Sequence, residues 1–358
     1  MSSASTKLID SSSDDRFDFT CRSEMDACLA AFDKNCDGKL DPNEFRQLCK
    51  ALFRDSTGQS YPLDASVADI FNLFDVNADG QIDRDEFVYC WNNWIKIIVK
   101  PISALLVIDV QNDFICGTLD IRNCPAQQNG EDVIEPINHL LDSVDFDAVF
   151  YSHDWHPEDH VSFVDNLHLR KLHESSPIAG NNAKLYDTVV FDGDPPMVQR
   201  LWPRHCVQNT WGSELYKDLK VVDNAVKIYK GTNPEVDSYS AFWDNSKLTD
   251  TKLEAQLKMR NITDVYVCGI AYDVCVGATA ADAIVSGFRT ILIDDCCRGV
   301  DLLDIEKTKR NLTKNHGIIV SSNQVDALVK GNDRRPELGY KLALNLKAMK
   351  QPAPKEVN

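Results

Sequence analysis

Val265-Tyr266-Val267-Cys268-Gly269-Ile270-Ala271-Tyr272-Asp273-Val274-Cys275-Val276 starts as an apolar, β-branched run and passes within a few residues into a pattern that opens a helix. A strand handing over directly to a helix is half of a βαβ unit. Cys275 stands at the start of that helix, near the positive end of the macrodipole, which favours a thiolate at neutral pH. Outward from this stretch, apolar β-branched runs recur near residues 102–109, 147–152, 225–229, 264–270, 289–294 and 317–321. Helix-like stretches fall between several of them, at 132–144, 249–259, 274–286 and 302–314. The alternation predicts an α/β fold with a mostly parallel sheet covered by helices on both faces. Ligands of such folds bind beyond the carboxyl ends of the strands. Asp109 follows the strand Ala104-Leu105-Leu106-Val107-Ile108, and Lys230 ends Val226-Lys227-Ile228-Tyr229-Lys230. An acid, an amine and a thiol at three strand ends form a candidate nucleophilic site.

The whole composition sets bounds on this reading. With 358 residues, 43% hydrophobic and 26% charged, the chain is long enough for two globular domains. A formal net charge of −17 argues against a nucleic-acid partner, which calls for a basic face. No apolar run approaches the roughly 20 residues that span a bilayer, so no membrane association is expected. The first thirty residues are polar and lack the apolar stretch of a secretory leader, which predicts a cytoplasmic protein with nuclear entry left open. Twelve scattered cysteines without a repeating spacing read as reduced thiols.

The acidity of the first hundred residues is concentrated in two short loops. Asp33-Lys34-Asn35-Cys36-Asp37-Gly38-Lys39-Leu40-Asp41-Pro42-Asn43-Glu44 places oxygen-bearing side chains at loop positions 1, 3, 5, 9 and 12, with glycine at 6. Asp75-Val76-Asn77-Ala78-Asp79-Gly80-Gln81-Ile82-Asp83-Arg84-Asp85-Glu86 repeats the pattern. A hard cation such as calcium takes 6–8 oxygens, and the glycine permits the turn that gathers them. The predicted ligands are Asp33, Asn35, Asp37, Asp41 and Glu44, then Asp75, Asn77, Asp79, Asp83 and Glu86. Lys39 and Gln81, at position 7, contribute only a backbone carbonyl. Leu40 and Ile82 at position 8 are expected to pair across the loops. Met25, Cys28, Leu29 and Phe32, and then Val67, Ile70, Phe71 and Phe74, recur at helical spacing ahead of the loops. Residues 17–98 thus resemble a paired EF-hand module, whose own partner the sequence leaves open.

A fourth strand end carries other chemistry. Asp154-Trp155-His156 puts a carboxylate and an imidazole two residues apart, and Trp202-Pro203-Arg204-His205-Cys206 supplies a second imidazole. Asp154, His156 and His205 form a first shell for zinc or another divalent transition metal. The bland reading of these three is a loop cap and packed histidines. Asp109, Lys230 and Cys275 likewise read in isolation as a turn cap, a surface lysine and a buried thiol.

Taken jointly and in order, Asp109-Val110-Gln111-Asn112-Asp113-Phe114, Asp154-Trp155-His156, Trp202-Pro203-Arg204-His205-Cys206, Tyr229-Lys230-Gly231 and the stretch ending at Val276 resemble the nicotinamidases of the isochorismatase-like hydrolase superfamily. The resemblance covers about residues 101–325. It implies a catalytic triad of Asp109, Lys230 and Cys275, and metal ligation by Asp154, His156 and His205. It further implies ring-enclosing aromatics Phe114 and Trp202, an oxyanion hole from the amides of Ala271 and Cys275, and a cis bond between Ile270 and Ala271. Three residues separate His156 from His160, so the resemblance leaves His160 open as a further ligand. The expected activity is hydrolysis of nicotinamide to nicotinic acid and ammonia through a cysteine thioester, in NAD salvage.

The expected domains are a disordered tail at 1–16, the EF-hand pair at 17–98, the hydrolase domain at 101–335, and a C-terminal helix and tail at 336–358. Homo-oligomerisation is left open. The polar stretch 161–200 is long for a connection, and a lid, a substrate wall and a solvated excursion all fit it. Two competing readings stand beside the amidase for nicotinamide. One is a calcium-dependent interaction protein with an inactive hydrolase-like domain; the other is an amidase for another small amide.

Overall fold

A computed structural model describes residues 22–350. The tail expected at 1–16, residues 17–21 and the end of the chain from 351 lie outside the described residues. The chain divides into two compact units: one holds residues up to 102 together with 287–289 and the segment from 324, the other holds 103–286 and 290–323.

The first unit opens with α1 (Arg22–Phe32), α2 (Pro42–Leu52), α3 (Ser66–Phe74) and α4 (Arg84–Cys90), which runs on through a π-helical turn (Trp91–Ile95) into α5 (Lys96–Val99). Asp41 and Asp83 cap α2 and α4, and the Glu44 and Glu86 side chains return to the cap N–H, completing a capping box at each helix. Leu40 and Ile82 pair as expected: each N–H donates to the other's carbonyl at 2.9 Å, and both side chains are fully buried.

The second unit contains β1 (Ser103–Ile108), α6 (Asn112–Ile115), α7 (Ile134–Ser143), β2 (Ala148–Asp154), β3 (Thr188–Phe191), β4 (Met197–Arg200), β5 (Val226–Lys230), α8 (Leu253–Met259), β6 (Asp264–Ile270), α9 (Gly277–Val285), β7 (Arg289–Arg298), α10 (Leu302–Lys314) and β8 (Ile318–Val320). Six strands form one sheet in the order β5-β2-β1-β6-β7-β8. β1 runs parallel to β2 and β6, β2 to β5, and β7 to β8. The α/β expectation holds. β1 and β6 are buried along their whole length, as central parallel strands read when both faces are covered. The strand order reverses between β1 and β6, the switch point beside which open parallel sheets bind ligands. A crevice therefore opens at the carboxyl ends of β1 and β6, where Asp109 and Cys275 lie.

Residues 161–200 are not an unstructured excursion. β3 and β4 pair antiparallel, and Val161, Val189, Phe191 and Leu201 form a small core beneath them. That core fixes the approach to Trp202.

The chain then returns to the first unit with α11 (Val325–Val329) and α12 (Pro336–Lys350). Residues 324–335, expected at the end of the hydrolase domain, cluster with the first unit in the structure. Among the described residues every cysteine is a free thiol, and no helix is long and apolar enough to cross a membrane.

Candidate active site and calcium loops

Asp109 leaves β1 in the left-handed region, with φ at 47°, a conformation that costs a non-glycine residue about 1–3 kcal/mol and that aspartate tolerates better than most. The turn is held by Ser152 on β2. The Ser152 hydroxyl donates to Asp109 Oδ1 at 2.6 Å and accepts the Asp109 N–H at 3.1 Å. Lys230, the last residue of β5, stands opposite Asp154, the last residue of β2. Its ammonium lies 2.9 Å from Asp109 Oδ2 and 3.3 Å from Cys275 Sγ, and it also pairs with Asp154 Oδ1. The Ser238 carbonyl accepts a further bond from it at 2.9 Å. A lysine with 1% of its surface exposed is tolerable only with such compensation.

Cys275 falls within a π-helical turn, Tyr272–Val276, that leads into α9. The bond between Ile270 and Ala271 is cis. The Ala271 carbonyl accepts from both Val274 and Val276 N–H at 3.0 Å, fixing the start of the turn. Burial pushes the Cys275 thiol well above its ordinary pKa; Lys230 opposes this, and Asp109 and Asp154 reinforce it. Sequence position alone suggested a ready thiolate at a helix N-terminus. In the folded protein burial works against the thiolate that the helix terminus favours. Burial also raises Asp109, with Lys230 opposing. Burial alone would lower Lys230, but Asp109 and Asp154 hold it well above the usual lysine value.

The other oxygen of Asp154 faces the imidazoles. Its Oδ2 lies 3.5 Å from His156 Nε2 and 3.8 Å from His205 Nε2. His156 Nδ1 engages the Gly231 carbonyl at 2.9 Å and His205 Nδ1 the Pro203 carbonyl at 2.7 Å. Backbone partners of that kind commit the far nitrogen as proton carrier and leave Nε2 as a lone-pair donor, the arrangement of metal-ligating histidines. The separations of 3.5 and 3.8 Å lie within a few tenths of an ångström of the roughly 3.3–3.6 Å between donors on a tetrahedral ion with bonds of about 2.0–2.2 Å. The residues present therefore fit a divalent transition metal. The ring of His160 stacks on that of His156, with centroids 4.0 Å apart. His160 Nδ1 meets Ser162 Oγ at 2.8 Å, while its buried Nε2 has no hydrogen-bond partner.

Asp154, His205, Ala271 and Cys275 line one cavity together with Phe114, Trp202, Tyr239 and Val274; Lys230 reaches it through Cys275 and Asp154, Asp109 through Lys230, and His156 through Asp154. The predicted triad, the Asp154, His156 and His205 group, and the two predicted aromatics all come together here. Sequence reasoning missed several residues beside them. Gln111 clamps Asp154, accepting its N–H at 2.9 Å through Oε1 and donating to its carbonyl at 2.8 Å. Asp113 accepts the Cys206 N–H at 2.7 Å, locking the left-handed residue (φ 47°) that follows His205. Asp237 lines the cavity and forms a cluster of ligand-type atoms with His156 and His160. Gln111 and Asp113 were inside a recognised motif and could have been flagged; Asp237 carried no periodic or spacing signal.

The two acidic loops are congruent. Gly38 and Gly80 have φ of 84° and 82°, the left-handed turn that glycine supplies without strain. Asp33 Oδ2 accepts the Gly38 N–H at 2.9 Å, and Asp75 Oδ2 accepts the Gly80 N–H at 3.0 Å. Glu44 and Glu86, at position 12, lie in the first turn of α2 and α4. Carboxylate and amide oxygens in this order suit a hard cation.

The isochorismatase domain family matches residues 103–324, and the EF-hand domain pair matches residues 22–90. The chain is 37% identical over 204 residues to a nicotinamidase of Escherichia coli (strain K12), an alignment that covers 56% of this chain and 85% of that protein. It is 34% identical over 231 residues to a nicotinamidase of Saccharomyces cerevisiae, covering 61% of this chain and 98% of the relative. A solved nicotinamidase and pyrazinamidase from Acinetobacter baumanii superposes with a TM-score of 0.53 at 35% identity, covering 63% of this chain and 98% of that one. The chain belongs to the isochorismatase domain family and carries an EF-hand domain pair ahead of that domain.

Proposed function

We propose that the chain hydrolyses nicotinamide to nicotinic acid and ammonia through a thioester on Cys275, returning the pyridine ring to NAD salvage, and that its two EF-hand loops bind calcium. The observation that carries the amidase reading is the buried Lys230 ammonium, 2.9 Å from Asp109 Oδ2 and 3.3 Å from the Sγ of Cys275, which lines an aromatic-walled cavity. The nicotinamidases named above support the choice of substrate.

In the first half-reaction the Cys275 proton passes to Asp109 as the sulfur attacks the carboxamide carbon. Lys230 offsets the negative charge on both partners throughout. The amides of Ala271 and Cys275 receive the oxyanion. Collapse breaks the C–N bond, and Asp109 gives its proton to the departing nitrogen, releasing ammonia. Water then attacks the thioester, losing its proton to Asp109, and nicotinic acid leaves as the thiol is restored. Phe114 and Trp202 enclose the ring and hold the carboxamide toward Cys275, which lowers the entropic cost of attack.

Asp154, His156 and His205, with His160 as a further donor through its unpartnered Nε2, would hold zinc or another divalent transition metal, which supplies Lewis acidity toward the pyridine nitrogen or the hydrolytic water. Lys230 orients Asp154 by engaging Oδ1, which leaves Oδ2 toward the histidines.

The test is ammonia release from nicotinamide by metal-replete protein beside Cys275→Ala. Release by the wild type alone is expected. No release from either, with metal and calcium bound, would replace this reading by another small amide or by the calcium-dependent interaction protein.

A further inference from the structure

The apolar groove of the EF-hand pair is filled from within the same unit. Ala343 and Leu346 of α12 are buried in the core built by Phe45, Leu48, Leu52, Phe53, Ile70 and Phe74, and Tyr340 and Leu342 pack against it. The backbone of α12 comes unusually close: a Cβ on Gly339 would sit 2.4 Å from two ring carbons of Phe53. Trp94, in the π-helical turn after α4, is fully buried and donates its indole N–H to the Gly339 carbonyl at 2.9 Å. The segment leading into α12 is fastened to the end of α2. Arg334 Nε donates to the Leu52 carbonyl at 2.6 Å, and the Arg334 N–H donates to the Arg54 carbonyl at 2.8 Å. The Tyr61 hydroxyl donates to Asp333 at 2.8 Å, and the Arg335 guanidinium lies 5.2 Å from the Tyr61 ring centre.

We propose that α12 is the resident target helix of the EF-hand pair, and that its seating is thermodynamically linked to calcium binding. The inference rests on the reading that the two loops bind calcium. The elements α12 touches are those a bound cation would move. Glu44 and Glu86 are at once the position-12 ligands and the capping residues of α2 and α4, so drawing either carboxylate toward a cation re-aims the helix behind it. The end of α2 carries Leu52 and Phe53, and the continuation of α4 carries Trp94. In sensor EF-hands calcium opens the helix pair and exposes a groove that an amphipathic helix then fills. Here the groove is already filled, and its occupant is covalently attached, so the seated arrangement is the one calcium would favour. Linkage is reciprocal: whatever unseats α12 weakens calcium binding by the same factor that calcium strengthens seating.

The experiment uses the full chain. Calorimetric titration with calcium gives stoichiometry and affinity, and amide hydrogen exchange over 336–350 reads the helix with calcium and with chelator. The wild type should bind two calcium ions, and chelation should speed exchange over 336–350 by at least about tenfold. Gly339→Leu, which drives a side chain into the Phe53 ring, should lower calcium affinity by at least about tenfold. Trp94→Phe, which removes the bond to the Gly339 carbonyl and part of the ring packing but drives nothing into the core, should lower it less and guards against misfolding of the first variant. Two calcium ions bound, with exchange over 336–350 indifferent to calcium and unchanged affinity in both variants, would make α12 a fixed part of the fold and overturn the inference. A wild type that binds no calcium would instead overturn the calcium reading beneath it.

Discussion

At the scale of single residues, Asp109, Lys230 and Cys275 act as one unit, and the sharpest expectations concern them. Asp109→Asn keeps the size of the side chain but cannot accept the thiol proton, and should lower kcat for nicotinamide by about 10²–10⁴-fold with a smaller change in KM; steady-state ammonia release reads both. Gln111 makes a different prediction, since it touches Asp154 only through the backbone. Gln111→Ala should weaken active-site metal binding by about 10–100-fold, measured by competition with a chromogenic chelator. The triad and the Asp154, His156, His205 set stood out in the sequence because each closes an apolar run or sits in a short ordered motif. Ser152, Asp237 and Tyr239 did not. Ser152 matters only because the register of β1 on β2 puts its hydroxyl against Asp109, and Asp237 only because the loop after β5 folds back over the cavity. The burial that opposes a Cys275 thiolate was hidden for a related reason: a helix terminus is visible in sequence, but burial is not.

At the scale of elements, the central strands are the most constrained. Gly269 on β6 has φ at +118°, and a Cβ there would lie 2.1 Å from the Ile108 carbonyl oxygen on β1. Gly269→Ala sets backbone against backbone and should cost more than about 3 kcal/mol, seen as a lower urea midpoint or as insoluble protein. The turn ahead of α8 offers a milder test. Asp244 is buried, which alone would raise its pKa, but bonds from the Thr249 hydroxyl and from the N–H groups of Leu248, Thr249 and Ser246 hold it below the usual carboxylate range. A depressed carboxylate contributes stability that is fully present above its unfolded pKa of about 3.9 and lost as pH falls through the folded value. Asp244→Asn should therefore destabilise the protein at neutral pH and flatten this part of the acid limb in urea melts across pH. The βαβ alternation made most strands of the sheet legible. The hairpin of β3 and β4 was not, because two four-residue strands in a polar stretch give too little periodicity, and the π-helical turns at 91–95 and 272–276 are indistinguishable in pattern from ordinary helix.

At the scale of the whole molecule, two compact units predict two unfolding transitions, of which calcium should shift one. Free calcium at about 100 times Kd adds roughly 2.7 kcal/mol per site to the unit that binds it. Differential scanning calorimetry with calcium and with chelator separates the cases, and two unmoved transitions would count against the loops as calcium sites. Sequence patterning exposed the EF-hand pair through its loop spacing, yet gave no sign that its core is completed by a helix from the far end of the chain. Pairing between distant apolar faces leaves no local mark. That discontinuity has a consequence for biosynthesis. More than two hundred residues separate the first segment of the EF-hand unit from the last, and at translation rates of about 5–20 residues per second the interval is roughly 10–50 s. During that time the groove destined for α12 stands uncovered on the nascent chain, and the catalytic unit completes its own strands before its elder neighbour in sequence can finish folding.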